Sequence, residues 1–254
     1  MPSEGEFAGR VALVTGAAGA AIGSTTCRTL ASYGAGIVVL DNHHRRTHET
    51  VEALRGTYDV PVMAAVADIA DRQVMAGTMD RVYSEMGSVD ILVNSAAINV
   101  QGSIFDYRPE DWDRVIAVDL TAAWWLIRRT IGAMRDQRWG RIVNVTSVAA
   151  YLGGNGREGP YSAAKAGLQE VTRGVAIEGG PHNIRVNAVA PGLVRSKWVD
   201  AQFEHYESFR EQTPLRRHAE PEDVSRTIAF LCSDESAHIT GQVINVSGGW
   251  YLTP

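Results

Sequence analysis

The chain has 254 residues, 45% of them hydrophobic, and a net charge of −5, so it can bury a full core and lacks the clustered lysine and arginine of a nucleic-acid footprint. Its two cysteines, Cys27 and Cys232, stand far apart in sequence and set up neither a metal spacing nor a disulfide framework, and no apolar run is long enough to span a bilayer. With a polar, acidic start from Met1 to Glu6, unlike a signal peptide, the expectation is a soluble cytoplasmic protein with no metal and no membrane or nucleic-acid partner.

Strand-like and helix-like segments alternate along the chain. Val11–Thr15 is a short apolar strand, followed by a glycine-rich turn and a helix over Ile22–Tyr33. Gly36–Asp41 reads as a second strand, Arg45–Thr57 as a helix, Val62–Val66 as a strand and Asp71–Met86 as a helix. Val89–Asn94 is a buried strand; helices over Pro109–Asp119 and Thr121–Gln137 lead to a strand at Arg141–Val145. A helix over Tyr161–Ile177, a strand at Ile184–Val189, a helix over Pro221–Cys232 and a strand at Gln242–Val246 complete the pattern. Continuously apolar strands separated by helices imply parallel βαβ units with both sheet faces covered. About seven strands and no break in composition predict one doubly wound Rossmann-type α/β domain over residues 1–254.

Small residues in Thr15-Gly16-Ala17-Ala18-Gly19-Ala20-Ala21-Ile22-Gly23 let the backbone approach a pyrophosphate, whose charge the following helix N-terminus stabilises. A glycine-rich turn is a weak signal alone. Its context is Asp41, 25 residues beyond Gly16, at the end of the next strand. An acid there accepts hydrogen bonds from the adenosine ribose and repels a 2′-phosphate, which points to NAD over NADP. The plainer reading of Asp41 is a turn or cap residue, and Arg45 and Arg46 are close enough in sequence to hold a phosphate.

Tyr161 and Lys165 are four residues apart, which on a helix puts them on one face. A free phenol has a pKa of about 10; a cation within a few ångströms favours the phenolate and suits tyrosine to proton transfer at a substrate oxygen. Ser147 stands fourteen residues before Tyr161, just past the strand Arg141–Val145, at the carboxyl edge where doubly wound sheets bind ligands. Alone, Ser147 would be a strand-end cap and Lys165 a solvated helix charge.

Taken together, these features resemble the short-chain dehydrogenase/reductase family over nearly the whole chain, including its 3-oxoacyl reductase-like members. The glycine turn resembles the family's Thr-Gly-x-x-x-Gly-x-Gly with one extra residue, so that Ala21 stands where its middle glycine belongs. Asp68-Ile69 resembles the pair placed against adenine, Asn94-Ser95-Ala96-Ala97 the Asn-Asn-Ala-Gly motif, and Pro191-Gly192-Leu193-Val194-Arg195-Ser196 the segment that contacts nicotinamide. Singly, Asp68 is equally a loop acid, Asn94 a strand-end cap and Pro191-Gly192 a turn.

The resemblance implies cofactor contacts from Gly16, Ala18, Ala21, Ile22, Asp41, Asp68, Ile69, Asn94, Ala96, Tyr161, Lys165, Pro191, Gly192, Val194 and Ser196. It assigns Ser147 to hold the substrate oxygen, Tyr161 to move its proton and Lys165 to lower the Tyr161 pKa and reach the nicotinamide ribose. The family's fourth catalytic residue, an asparagine, is replaced here by Asp119. It further implies a mobile lid over Ser196–Gln212, where Trp198, Phe203, Tyr206 and Phe209 suggest a small hydrophobic alcohol or ketone, and a homotetramer built on the last strand and the Tyr161 helix. The alternatives are a 3-oxoacyl thioester reductase using NADPH, with Arg138 as a carrier-protein contact, and a non-catalytic nucleotide-binding scaffold. Gly153–Gly159 is a second flexible segment, in which Arg157 either meets an anionic substrate group or merely pairs with Glu158 in solvent.

Overall fold

The computed structural model describes residues 1–19, 21–196 and 206–252, with the side chains of 206–208 not described. Seven parallel strands form one sheet in the order β3-β2-β1-β4-β5-β6-β7: β1 Val11–Thr15, β2 Gly36–Asp41, β3 Val62–Val66, β4 Ile91–Asn94, β5 Gly140–Val145, β6 Ile184–Pro191 and β7 Val243–Val246. The main helices are α1 Ile22–Ser32, α2 His44–Arg55, α3 Arg72–Met86, α4 Pro109–Ile116, α5 Ala122–Asp136, α6 Ala149–Leu152, α7 Gly159–Gly179, α8 Tyr206–Gln212 and α9 Pro221–Cys232.

The apolar strands are buried on both faces because successive side chains go to opposite sides. Ala12, Val14, Ile37, Val39 and Val143 pack with Cys27 and Leu30 of α1 and Val224 and Ile228 of α9. Their neighbours Leu13, Val38, Leu40 and Ile142 face the other way, onto Met75, Met79 and Val82 of α3 and Leu126 and Ile127 of α5. Strand β1 pairs with both β2 and β4. The chain reverses its direction of travel across the sheet there, and the crevice at the carboxyl ends of the strands opens at that point.

Two differences from the sequence expectation matter for function. The two helices expected over 109–137 are one helical run, joined by a single π turn over Ala117–Thr121. The helix expected to start at Tyr161 begins two residues earlier, with Glu158 at its N-cap and Pro160 in its first turn, a place where proline's missing N–H costs nothing.

Candidate active site

A cavity of about 740 Å³ runs along the carboxyl edge of the sheet, from the turn after β1 to the start of α7. At one end Gly16 has φ +62°, and a Cβ on it would stand 2.7 Å from the Ala96 Cα. A Cβ on Gly23 would stand 2.3 Å from the Gly16 carbonyl oxygen. Glycine at both positions lets the turn close onto the end of β4 and the start of α1. Thr15 Oγ1 fixes the same junction by accepting the Ser95 and Ala96 N–H groups at 2.9 and 3.0 Å.

The N-cap of α1 is Ala21, which has no side-chain acceptor, and no acid stands in the first turn. Ala21, Ile22 and Gly23 line the cavity, so it is bordered by the partially positive start of α1, an end that suits a phosphate. Asp41 closes this end: its Oδ2 accepts the Ala18 N–H at 3.1 Å and its Oδ1 the His43 N–H at 3.0 Å. A carboxylate has lone pairs left for a ribose beyond those two. Arg45 and Arg46 both line this end of the cavity, and Arg45 also pairs with Glu49. The residues present therefore fit a dinucleotide. Ala20, within the expected turn, lies outside the described residues.

Of the other expected contacts, Ala96, Pro191, Gly192, Val194 and Ser196 line the cavity. Asp68, Ile69 and Asn94 are not part of its wall. Asp68 accepts the Ala70 N–H at 3.0 Å and pairs with Arg114 at 2.8 Å. Asn94 is buried, and its Nδ2 donates to Asn144 Oδ1 at 2.8 Å, which continues to Thr172 at 2.9 Å. That chain ties β4 and β5 to α7.

At the other end Tyr161 and Lys165 share a face of α7, with Lys165 Nζ 5.5 Å from the centre of the tyrosine ring. Lys165 Nζ donates to the Val145 carbonyl at 3.1 Å and lies 3.4 Å from Asp119 Oδ2. Both charged side chains are buried. Asp119 sits in the π turn, and its Oδ1 accepts the Ile98 N–H at 2.9 Å. Burial raises the Asp119 pKa, against the pull of Lys165 and the Ile98 amide.

Ser147 Oγ accepts the Ala149 N–H at 3.1 Å, and Ser147 and Tyr161 line the same end of the cavity. The expectation that Lys165 draws the phenol pKa down meets opposing effects. Burial raises it well above the ordinary value, the charge of Asp119 raises it further, and the Ser147 hydroxyl only partly offsets them. Lys165 is turned to Asp119 and Val145 instead.

The substrate side is walled by Leu152, Gly154, Asn155, Glu158, Phe209 and Trp250. Phe209 and Trp250 meet edge to face at 5.2 Å. Among the expected lid aromatics Trp198 and Phe203 lie outside the described residues, as does the side chain of Tyr206. Glu158 does not pair with Arg157 in solvent: its Oε1 takes Asn99 Nδ2 at 2.6 Å and Gln101 Nε2 at 3.1 Å. Sequence reasoning missed Glu158 and Asn99 as cavity residues; the available signal was Glu158's place three residues before Tyr161 on the same helix. Arg138 precedes β5, at the edge of the sheet opposite the cavity, and donates to the Pro181 carbonyl at 3.3 Å. It is not placed to meet a carrier at the cavity mouth.

A parallel doubly wound sheet with a phosphate-compatible turn and a tyrosine–lysine–serine group in one cavity defines a dinucleotide-binding oxidoreductase. A family model described as enoyl-(acyl carrier protein) reductase matches residues 16–251. The chain is 37% identical over 250 residues to a hydroxy-methyl-oxo-hexahydroindene-carboxyl-CoA reductase of Mycobacterium tuberculosis, covering 97% of this chain and 95% of that protein. It is 34% identical to the 3-oxoacyl-(acyl-carrier-protein) reductase FabG of Aquifex aeolicus, over 96% of this chain and 98% of that one. The crystal structure of a 3-oxoacyl-(acyl-carrier protein) reductase from Brucella melitensis superposes with a TM-score of 0.92 at 29% identity, covering 98% and 94% of the two chains. The chain belongs to the short-chain dehydrogenase/reductase family, oxidoreductases that act on CH–OH and keto groups with a nicotinamide cofactor. No helix among the described residues is long and apolar enough to cross a membrane.

Proposed function

We propose that the protein interconverts a secondary alcohol and a ketone, with NAD as its preferred cofactor and Tyr161 as general acid and base. The observation that carries this reading is that Ser147, Tyr161 and Lys165 line one cavity together with Gly16, Ala21, Ile22 and Gly23 of the turn before α1. When bound, the nicotinamide supplies the hydride donor or acceptor. Ser147 holds the substrate oxygen. Tyr161, kept protonated by burial, hands its proton to a ketone oxygen or recovers it from an alcohol, and Lys165 supplies the positive charge that stabilises the phenolate. Gly16, Ala18, Ala21 and Ile22 cradle the phosphates, Pro191, Gly192, Val194 and Ser196 border the nicotinamide, and Asp41 selects against a 2′-phosphate.

A second reading, reduction of a 3-oxoacyl thioester, is supported by the names of the relatives above. Asp41 opposes it in so far as that reaction runs on NADPH. Assembly belongs to the proposal: Trp124 on α5 and Ile177 on α7 are exposed apolar side chains, which supports a homotetramer, to be checked by sedimentation.

The test is twofold. Fluorescence titration with NADH and NADPH is expected to give tighter binding of NADH; the reverse order overturns the cofactor assignment. A panel of alcohols and ketones followed at the reduced-nicotinamide absorbance is expected to show turnover that falls by about 10²- to 10⁴-fold in Tyr161→Phe. Turnover that survives in that variant overturns the mechanism.

A further inference from the structure

The substrate side of the cavity is not only apolar. Glu158 lies one helical turn before Tyr161, on the cavity wall, where two loops meet. The Gly102 N–H donates to the Arg157 carbonyl at 2.9 Å, so the loop after β4 is laced to the start of α7 beside the site. Two carboxamides from that loop, Asn99 and Gln101, both donate to one carboxylate oxygen, Glu158 Oε1. Among the described residues Oε2 accepts no hydrogen bond. The Asn99 Nδ2 bond also fixes the orientation of that amide, and Asn99 Oδ1 is left as a buried acceptor without a partner. The backbone is shaped to hold the group. A Cβ on Gly154, which has φ +57°, would stand 2.5 Å from the Glu158 Cβ, so only glycine lets this loop close on the glutamate. The electrostatic reach is independently visible, since Glu158 contributes to the raised pKa of Tyr161.

We infer that Glu158, positioned by Asn99, is the residue that sets substrate specificity: it accepts a hydrogen bond from a second hydroxyl or ammonium group next to the reacting carbinol or ketone. This rests on the alcohol–ketone reading and narrows it. The substrate has an apolar body, which packs toward Leu152, Phe209 and Trp250, and a vicinal donor group. A pre-oriented carboxylate has no donor to offer, so the analogue that lacks the second group leaves it unpaired, and an anionic neighbour is repelled.

The experiment compares cyclohexane-1,2-diol, 2-aminocyclohexanol and cyclohexanol with NAD, in the wild type and in Glu158→Gln. The readout is the ratio of kcat/KM values for the diol and the mono-alcohol. Both need Tyr161, so any general damage to proton transfer cancels. A hydrogen bond to a charged group predicts a ratio of about 10 to 100 in favour of the diol, falling towards unity in Glu158→Gln, whose amide can still engage Asn99 and Gln101. If the amine outruns the diol, the natural donor is an ammonium; if the diol leads, it is a hydroxyl. Equal rates for all three in the wild type, or a ratio that survives the substitution, overturn the assignment. Calorimetric titration of the same three compounds into the NADH complex separates the two readings. Preferential, Glu158-dependent binding of the donor-bearing compounds without turnover would refute the alcohol–ketone chemistry and leave the specificity assignment standing. Equal binding with no turnover would refute both.

Discussion

Replacing Asp119 by asparagine removes one negative charge from the buried pair it makes with Lys165, in which Nζ and Oδ2 are 3.4 Å apart. At an effective dielectric of about 20, two unit charges at that separation attract by about 5 kcal/mol. Much of the lysine's field is therefore answered by Asp119, and less reaches the phenol, whose ring centre is 5.5 Å from Nζ. The phenol stays above its ordinary value, through burial first and the charge of Asp119 second. Asparagine keeps an acceptor for the Ile98 N–H and has the shape of the residue it replaces. If a fifth of the lost attraction is transferred to the phenolate, the gain is about 1 kcal/mol, roughly fivefold in its population below the pKa. The kcat/KM profile for alcohol oxidation is expected to move to lower pH, with a rate at neutral pH raised by about that factor. A profile that stays in place, or moves to higher pH, refutes the electrostatic reasoning.

The same substitution gives a stability test. The Asp119 carboxyl is raised above its ordinary value of 3.8 because burial outweighs Lys165 and the Ile98 amide. The folded state thus holds this proton more tightly than the unfolded chain. The stability it contributes is fully present below the ordinary value and is lost as pH rises through the raised one. Asp119→Asn has no such proton to lose, so its urea midpoint should gain on the wild type as pH climbs from about 4; a constant difference would contradict that sign. Gly16→Ala forces a Cβ to within 2.7 Å of the Ala96 backbone at φ +62°. It should lose about 1–2 kcal/mol from the left-handed conformation alone, measured by thermal unfolding, and weaken NADH binding in the same preparation. Asn94→Ala cuts the buried chain to Asn144 and Thr172. It is expected to destabilise by about 1–3 kcal/mol in urea, with cofactor affinity per folded molecule unchanged; a selective loss of NADH affinity would place Asn94 in the binding site after all.

What the sequence makes legible follows from how local each signal is. Strands β1 and β2 are apolar runs up to their last residue, and β5 and β6 are apolar apart from Arg141, Asn144, Arg185 and Asn187; burial on both faces accounts for that, so a parallel sheet with helices on each side can be read directly. Tyr161 and Lys165 could be paired because four residues on a helix is a fixed distance. The π turn is harder to read: a slip in helical phase at Ala117–Thr121 resembles the end of one helix and the start of another. Partners that arrive from distant sequence are not legible at all. The resemblance places Asp68 against adenine, and nothing local shows that Arg114, 46 residues on, pairs with its carboxylate. Glu158 reads locally as a partner for Arg157, because Asn99 and Gln101 stand 59 and 57 residues away. Asp119 shows the functional side of the same limit. Its place in the motif is visible in sequence, but the charge balance it imposes on Tyr161 depends on the 3.4 Å contact with Lys165 and on the burial of both. A lysine near a tyrosine is therefore not evidence of an acidic phenol until the lysine's other partners are known.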